Sequence, residues 1–515
     1  MTIKDLQTFF QKNPCILLSI LLIIFYLILQ RFMIDGFGEP DSARIGVSII
    51  DMIEHGNTSS LSTYYFSDNI PLYAISLKNI VKLFGNNYCL LPSIINHVNI
   101  FFSILNLLAA FIFTKKIFKD NNIAYTTIIF YFFTPGFFIS SIYGFPHLIS
   151  NTFFIFSLYF FVSTLTDSNH IIWKRIITTI FMFLSISFKS DIVLFFGVFF
   201  GILFFYEKLN LKNILHLIAQ VFISLILFYI LRRLLLPDLH GSTTSVHNFK
   251  DWLDRFSSLN LNMQSFFNYQ IKPVIYTYGA FTNIVLLTVC LLMLIKKKWK
   301  IILFFLSWTL VPTLFWILIF GNSARHNFAN ILPVVILITI YFHNSFNNKG
   351  LIAIVFILSV NMIITPANSS TGLPSAKFFK SSALINSKRN NNHKIGEYIN
   401  SIDSEDIYIF GSYQNPWILY ELIKDGDSYS VEALSGIENY SLTIKNKNQQ
   451  KNYKIFYMYW TVTNLPSEIQ KLQQSYKLNT DALYISLIGN IEALSKYEFS
   501  VKSISTTSDS HIIIK

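Results

Sequence analysis

The chain has 515 residues, of which 52% are hydrophobic and 13% are charged. Ordinary soluble domains have roughly a quarter of their residues charged. The formal net charge is +12, but the lysines and arginines stand in short groups between apolar segments, which argues against a nucleic-acid-binding surface. The three cysteines, Cys15, Cys89 and Cys290, form neither a disulfide framework nor a zinc-binding spacing. The composition therefore predicts an integral membrane protein with many spans.

Apolar segments long enough to cross a bilayer recur along the first two thirds of the chain. Each span needs about 20 mostly apolar residues, and on this basis we predict about eleven spans. The first is expected to be retained rather than cleaved as a signal peptide, because no small-residue cleavage site follows it. The predicted spans cover residues 15–33, 88–113, 122–140, 148–164, 171–187, 191–206, 213–231, 274–295, 301–320, 329–343 and 350–366.

The distribution of positive charge predicts the orientation of these spans. With the N-terminus in the cytoplasm, almost all short basic groups, such as Lys174–Arg175 and Lys296–Lys298, fall on the inner side. Arg232–Arg233, at the outer end of the seventh span, are the exception. The outer side then receives residues 34–87 and everything after about residue 367. We therefore expect a multi-pass protein of the inner membrane that has its polar segments outside.

The predicted fold is a mostly α, polytopic membrane helix bundle with outer-face amphipathic helices and a small C-terminal α/β extramembrane domain. The membrane part is expected to cover residues 1–366, a linker 367–392 and the soluble periplasmic domain 393–515, where short apolar strands alternate with helical stretches. Within the first outer loop, residues 34–87, apolar periodicity predicts two amphipathic helices. They are expected to begin near Asp41 and Pro71 and to lie flat on the outer leaflet, the first with Arg44, Asp51 and Glu54 on its polar face.

The same threading places several ionisable residues on the outer face. Ionisable groups at membrane depth are costly, and they usually line a cavity or pair with a ligand. We predict that these cations hold a lipid-linked phosphate, arginine by its bidentate fork, and that Asp41 accepts a proton from the acceptor as general base. The group consists of Glu39, Asp41, His147, Lys189, Arg232, Arg233, Arg325 and His326.

Each of these residues also has an ordinary structural interpretation. Asp41 is a suitable helix N-cap, Lys189 could be a headgroup anchor, and His147 could be a hydrogen-bonded turn histidine. Glu39 and the arginine pair would be equally at home on solvated helix flanks. His240 and His247 fit no recognised metal spacing, and neither a metal nor another cofactor is predicted.

The order of several short motifs over residues 15–345 resembles the polytopic C-type (GT-C) glycosyltransferases. The motifs are "DNIPLYAISLKNIVKLFG", "TPGFF", "LSISFKSDIV" and "GNSARHNFANILP". They are most similar to the branch with protein O-mannosyltransferases and the transferases that add aminoarabinose to lipid A. The resemblance implies a catalytic acid at Asp41 with Glu39, and substrate contacts from Tyr73, Lys189 and Arg325–His326.

Three positions depart from the pattern of that family. His147 stands where an acidic residue is frequent, Ser190 where glycine follows the turn lysine, and His326 where tyrosine follows the arginine. A histidine can polarise or bind a substrate, but it cannot supply a permanent negative charge. The departure at His147 therefore leaves the predicted site without the second carboxylate of the family.

The resemblance implies transfer of a single sugar from a polyprenyl-phosphate carrier to an envelope acceptor on the periplasmic side. The acceptor would be lipid A or lipopolysaccharide core, another glycan, or a protein, and one displacement would invert the anomeric carbon. Its partners would be the donor lipid, the acceptor and the membrane, with no nucleic acid. The alternatives are a transporter or lipid flippase, which usually places ionisable residues near the bilayer midplane, and a scaffold, for which eleven spans exceed what anchoring requires.

Overall fold

The computed structural model describes most of the membrane part and the centre of the C-terminal part. Glu39 lies outside the described residues, and of Asp41, Arg325 and His326 only the backbone is described. The described residues are 13–33, 36–37, 40–56, 71–142, 144, 146–235, 272–315, 324–346, 350–364, 399–411, 415–425, 428–433, 439–446, 449–457, 471, 474–475, 483–486, 500–502 and 512–514.

Helices dominate the described residues up to position 364. Three 3-10 helices, Tyr88–Leu90, Ser190–Phe195 and Ala324–Asn330, precede α-helices and turn the chain into them. The α-helices are α1 (Pro14–Phe32), α2 (Pro40–Glu54), α3 (Pro71–Leu83), α4 (Leu91–Phe118), α5 (Asn121–Phe132), α6 (Pro135–Ile142), α7 (Pro146–Thr166), α8 (Ile171–Phe188), α9 (Gly197–Phe205), α10 (Leu211–Leu235), α11 (Lys272–Tyr278), α12 (Ala280–Ile295), α13 (Trp299–Phe315), α14 (Ile331–Phe346) and α15 (Gly350–Ile364).

Each predicted span coincides with a described helix or with two consecutive ones. Among the described residues, six helices are long and apolar enough to cross a membrane by themselves. The pair α5 and α6 would make a seventh, bent by 64° at a break before Pro135, whose ring disfavours a helical conformation in the preceding residue. These six or seven candidate spans make the chain a polytopic bundle. The remaining apolar helices are shorter, so the count of eleven spans stays a prediction.

Helix α7 is at the centre of the bundle. It packs along α4 on one side and α8 on the other, while α9 packs against α13. Buried aromatic rings fill the space between these helices: Phe154 of α7 contacts Phe196 and the fully buried Trp308 of α13. Interlocking rings of this kind favour one arrangement of the helices over others.

Ion pairs join the helix ends that the charge pattern predicts to be cytoplasmic. Lys116 at the end of α4 and Lys174 at the start of α8 lie 2.8 and 3.4 Å from the carboxylate of Asp167, just after α7. The hydrogen bond from Lys116 holds the pKa of Asp167 below its ordinary value. His343 of α14 lies 3.3 Å from Asp120, before α5. These contacts join five helix ends, those of α4, α5, α7, α8 and α14, at the opposite end of the bundle from the start of α7.

The C-terminal part contains a seven-stranded mixed sheet in the described residues. Its central strands are parallel and its flanking strands are antiparallel. One further helix, α16 (Asn415–Ile423), follows the first strand. The strands, in the spatial order of the sheet, are β2 (Ser428–Ala433), β3 (Tyr440–Asn446), β4 (Gln449–Tyr457), β1 (Asp406–Gly411), β5 (Leu483–Ser486), β7 (Ile512–Ile514) and β6 (Ser500–Lys502).

The small α/β unit predicted from the alternating pattern is therefore present as a sheet with a packed helix. The proposed linker 367–392 lies outside the described residues, so the domain boundaries stay a prediction. Helix α16 does not cover the sheet alone, because its other side packs against α2 of the first outer loop.

The environment of α2 differs from a helix lying flat on the leaflet with a polar face in water. Between Ser42 and Met52 every described side chain is buried except that of Arg44, which is half-buried. Asp51, on the face predicted to be polar, is only 1% exposed. Helix α2 packs against α3 and α4 on the bundle side and against α16 on the other. It is an internal helix, because α16 packs against it in addition to α3 and α4.

Candidate active site

A small, partly open cavity lies at the end of the bundle opposite the ion pairs of Asp167; its empty space of about 270 Å³ includes the solvent at its mouth. Its walls come from three separate parts of the chain: the start of α7, the turn after α8 and the 3-10 helix before α14. The lining residues are His147, Ser150, Lys189, Asp191, Ile192, Phe195, Phe328 and Ala329.

The turn after α8 is held against α7 by two serines. The hydroxyl of Ser150 donates to the carbonyl of Ser185 at 2.8 Å, and the hydroxyl of Ser185 donates to the carbonyl of Ser150 at 2.9 Å. Helix α8 then ends at Phe188, and the extended backbone of Lys189 leads into the 3-10 helix Ser190–Phe195. This arrangement places Lys189 beside His147, which lies one helical turn before Ser150 on α7.

Three ionisable side chains meet in the cavity. The ammonium nitrogen of Lys189 lies 3.2 Å from Oδ1 of Asp191, and Nε2 of His147 lies 3.9 Å from Oδ2 of the same carboxylate. Their side chains are only 14–17% exposed. The structure thus brings together two predicted site residues, His147 and Lys189, around a carboxylate that sequence analysis did not select.

Asp191 was missed because a carboxylate two residues from a lysine in a turn is a common solvated pair. The signal that would have found it is its setting in "SISFKSDIVLFF", where both charges stand between two apolar segments. A charge pair at such a position is expected to line a cavity.

The third wall belongs to the segment that carries Arg325 and His326. Phe328 and Ala329 line the cavity, and Phe328 stacks on Phe137 of α6 with ring centroids 5.9 Å apart. Residues of one 3-10 helix rise by about 2 Å each, so the backbone of Arg325 lies about 6 Å along the axis from that of Phe328. The backbone of the Arg325–His326 segment therefore lies near this cavity, and the roles of the two side chains stay a prediction.

Asp41 lies in the first turn of α2, one residue after Pro40, which suits the start of a helix. The preceding backbone is held by side chains of other elements. Asn96 of α4 donates to the carbonyl of Gly36 at 2.8 Å, and Trp417 of α16 donates to that of Phe37 at 3.3 Å. Because the helix begins at Pro40, Asp41 is its second residue and does not occupy the N-cap position. Its predicted catalytic role stays a prediction.

The other predicted contacts have described partners that are not among the residues lining the cavity. Tyr73 is buried and donates from its hydroxyl to the carbonyl of Gly144 at 3.1 Å. Burial raises the pKa of the Tyr73 hydroxyl above its ordinary value. At the end of α10, Arg233 is exposed and donates to the Tyr229 hydroxyl at 3.0 Å. Neither Tyr73 nor the pair Arg232–Arg233 is among the described residues that line the cavity.

A second polar cluster joins α2 to the sheet. His55, just after α2, bridges the Oδ1 atom of Asp51 through Nδ1 and the carbonyl of Tyr429 on β2 through Nε2, both at 2.9 Å. Tyr88 donates to Glu54. Burial, followed by the charges of Asp51 and Glu54, raises the pKa of Tyr429. This cluster anchors the C-terminal end of the helix whose N-terminal end carries Asp41.

Among the described residues, no group of three or more histidine, cysteine, aspartate or glutamate side chains could hold a metal ion. His240 and His247 lie outside the described residues. The cavity residues His147 and Asp191 are accompanied by a lysine rather than by a third ligand. The described ionisable groups of the cavity are therefore one ammonium, one carboxylate and one imidazole.

The fold is similar to that of solved polytopic membrane proteins of the GT-C glycosyltransferase class. In particular, it is similar to the structure of ArnT from Cupriavidus metallidurans in the apo state, with a TM-score of 0.58, 10% identity and 98% coverage of each chain. The same protein bound to undecaprenyl phosphate gives a TM-score of 0.57, 11% identity and 98% coverage of each chain. The resemblance predicted from the motifs is thus confirmed at the level of the fold.

More distant or sequence-based matches add nothing to this result. The archaeal oligosaccharyltransferase AglB from Archaeoglobus fulgidus, solved with an inhibitory peptide and a dolichol-phosphate, has a TM-score of 0.43 and 13% identity. That match covers 80% of this chain and 64% of AglB. No protein-family model matches this chain, and no curated protein sequence is similar to it.

Proposed function

We propose that the protein is a membrane glycosyltransferase that moves a single sugar from a polyprenyl-phosphate carrier to an envelope acceptor. The observation that supports this most is the Lys189 ammonium in a cavity at the bundle end, in a chain with the fold of ArnT. One ArnT structure holds undecaprenyl phosphate, so a lipid-linked phosphate is the ligand class that suits a lysine in such a position.

The roles of the residues follow from their charges. Lys189 and Arg325 neutralise the charge that develops on the leaving phosphate. His147 and His326 contact the substrate beside that phosphate. Asp41, with Glu39 beside it in sequence, takes the proton of the acceptor hydroxyl as general base. The acceptor oxygen forms its bond to the anomeric carbon while the bond to the phosphate oxygen breaks. A single displacement of this kind inverts the anomeric carbon.

The remaining parts of the proposal concern place and acceptor. The eleven apolar segments span the inner membrane, and the cavity faces the periplasm, because the basic ends around Lys116 and Lys174 are those that the positive-inside rule keeps in the cytoplasm. The acceptor is lipid A or lipopolysaccharide core, another glycan or a protein. Tyr73 would contribute by shaping the loop at Gly144, and Arg232–Arg233 by contacting lipid headgroups.

A transporter or flippase is less well supported by the described residues. Transporters bind their substrates with ionisable groups near broken helices at the midplane. The broken pair here, α5 and α6, is separated by Phe133 and Thr134, neither of which is ionisable. The described charges of the cavity lie instead where α7 begins and α8 ends.

The experiment that tests the proposal compares wild type with Asp41→Asn in liposomes that contain polyprenyl-phosphate sugars and envelope lipids. We expect sugar transfer by wild type and a loss of about 10²–10⁴-fold in the variant. Asp167→Asn, which removes the same charge at the opposite end of the bundle, is the matched control and should retain transfer. Unchanged transfer by Asp41→Asn would remove that residue as base, and transport of the intact lipid without transfer would favour the flippase.

A further inference from the structure

The carboxylate of Asp191 is an unexpected group in a site proposed to bind phosphate. It lies 3.2 Å from the Lys189 ammonium, and a phosphate oxygen bound to that ammonium would lie at about 3 Å from it. Two anions that share one ammonium are therefore within about 6 Å of each other. The carboxylate must repel any phosphate that Lys189 attracts.

This repulsion distinguishes the two forms of a polyprenyl carrier. The loaded carrier is a phosphodiester with a single negative charge. After transfer the sugar has left, and the spent carrier is a phosphomonoester, which carries a charge approaching −2 at pH 7 because its second pKa is about 6. A fixed negative charge next to the phosphate destabilises the bound monoester about twice as much as the bound diester.

We propose that Asp191 is a specificity residue that rejects the spent carrier by charge, so that product leaves and loaded donor can bind. The inference rests on the proposed function, since it assumes that Lys189 holds a polyprenyl phosphate. It explains why the cavity contains a lysine and a carboxylate in contact: the lysine supplies affinity for phosphate, and the carboxylate limits that affinity for the dianion.

The size of the effect follows from the separation. A unit charge about 6 Å away, at the effective dielectric constant of about 20–40 suited to a partly buried site, changes an affinity by about ten- to a hundredfold. The Asp191 side chain is 17% exposed, and His147 lies 3.9 Å from its other oxygen. The smaller change in affinity, about tenfold per unit charge, therefore applies. Removing the Asp191 charge should therefore raise the affinity for the diester by about tenfold and the affinity for the monoester by about a hundredfold.

The test uses two probes that need no knowledge of the sugar: undecaprenyl phosphate and its methyl diester. Their dissociation constants for the full-length protein in detergent are measured at pH 8. The dissociation constant of the monoester is divided by that of the diester, and this ratio is compared between variants. We expect that ratio to fall by about tenfold in Asp191→Asn and to stay at the wild-type value in Asp191→Glu, which keeps the charge. Asp167→Asn is the control for loss of a carboxylate elsewhere.

The pH dependence separates charge selection from a merely structural role. At pH 5 the monoester is mostly a monoanion, so the wild-type and Asp191→Asn ratios should nearly coincide there and should differ by about tenfold at pH 8. The other ionisable groups among the described lining residues, His147 and Lys189, are common to both proteins, and so are Arg325 and His326 in the neighbouring segment. The difference between the two profiles therefore reports Asp191 and the titration of the ligand.

Each outcome decides the proposal. A fall in the ratio at pH 8 that disappears at pH 5 supports charge selection. Equal weakening of both lipids in Asp191→Asn, or a ratio that does not change, would show that Asp191 only holds Lys189 in place and would overturn the inference while leaving the proposed function intact. If wild type binds neither lipid, the proposed function itself fails, and the inference fails with it.

Discussion

Replacing His55 by alanine should loosen the junction between α2 and the sheet. In the structure, the two ring nitrogens of His55 each lie 2.9 Å from an acceptor on a different element, the Asp51 carboxylate and the Tyr429 carbonyl. Both hydrogen bonds form together when each nitrogen carries a proton. Its ring also packs edge-on against that of Tyr429, with centroids 4.9 Å apart. The methyl side chain of alanine has no donor, so it could replace neither hydrogen bond.

The magnitude follows from what the substitution leaves behind. Asp51 is 1% exposed, and removing a partner from a buried polar group costs about 1–3 kcal/mol. The aromatic pair contributes about 0.5–1.5 kcal/mol. Because the His55 side chain is 36% exposed, water will partly replace the lost donors. The expected net destabilisation of the junction is about 1–3 kcal/mol.

Amide hydrogen exchange of the purified protein measures this local stability. A loss of about 1–3 kcal/mol should raise the opening equilibrium of β2 and its partner β3 by about five- to a hundredfold. The matched control is His97→Ala, because His97 is exposed and bonds only to Ser93, four residues earlier, in the described contacts. Exchange of β2 at the wild-type rate in His55→Ala would refute the idea that this bridge joins α2 to the sheet.

Three further substitutions test the assignment of the other residues. Lys189→Met should weaken donor binding by about ten- to a hundredfold, because a charge-assisted hydrogen bond to phosphate is lost; a KM for donor equal to that of wild type would contradict this role. Tyr73→Phe removes only the bond to the Gly144 carbonyl, so thermal unfolding should show a loss of about 1 kcal/mol with kcat nearly retained, whereas loss of transfer at full stability would make Tyr73 a substrate contact. Arg233→Ala should leave transfer within about twofold of wild type, because exposed charges of this kind contribute little; a large fall in kcat/KM would place the arginine in the site.

The helices could be predicted from the sequence because apolar length and the positions of charges are local properties. The charge pattern also predicted which helix ends meet, as the contacts of Lys116 and Lys174 with Asp167 show. The environment of α2 could not be predicted in this way. Helix α16, which packs against α2, lies more than 360 residues later in the chain. The periodic pattern of α2 does not reveal that so distant an element will pack against it.

The site was predictable only in part for a similar reason. His147 and Lys189 were selected because an ionisable group in an apolar setting is unusual, and the structure places both in one cavity. Asp191 stands in the same turn as Lys189, where a nearby opposite charge looks like ordinary neutralisation. Its contact with His147, 3.9 Å away on α7, depends on the packing of α7 against α8 and has no local signature.

The central claim is that a lipid phosphate binds in the cavity between the start of α7, the turn after α8 and the 3-10 helix before α14. An undecaprenyl phosphate analogue with a photoreactive diazirine beside the phosphate tests it directly in reconstituted protein, with labelled peptides identified by mass spectrometry. We expect labelling of segments 146–150, 189–195 and 324–330, which excess unlabelled undecaprenyl phosphate should suppress. Labelling confined to the opposite end of the bundle, around residues 167–175, would contradict it.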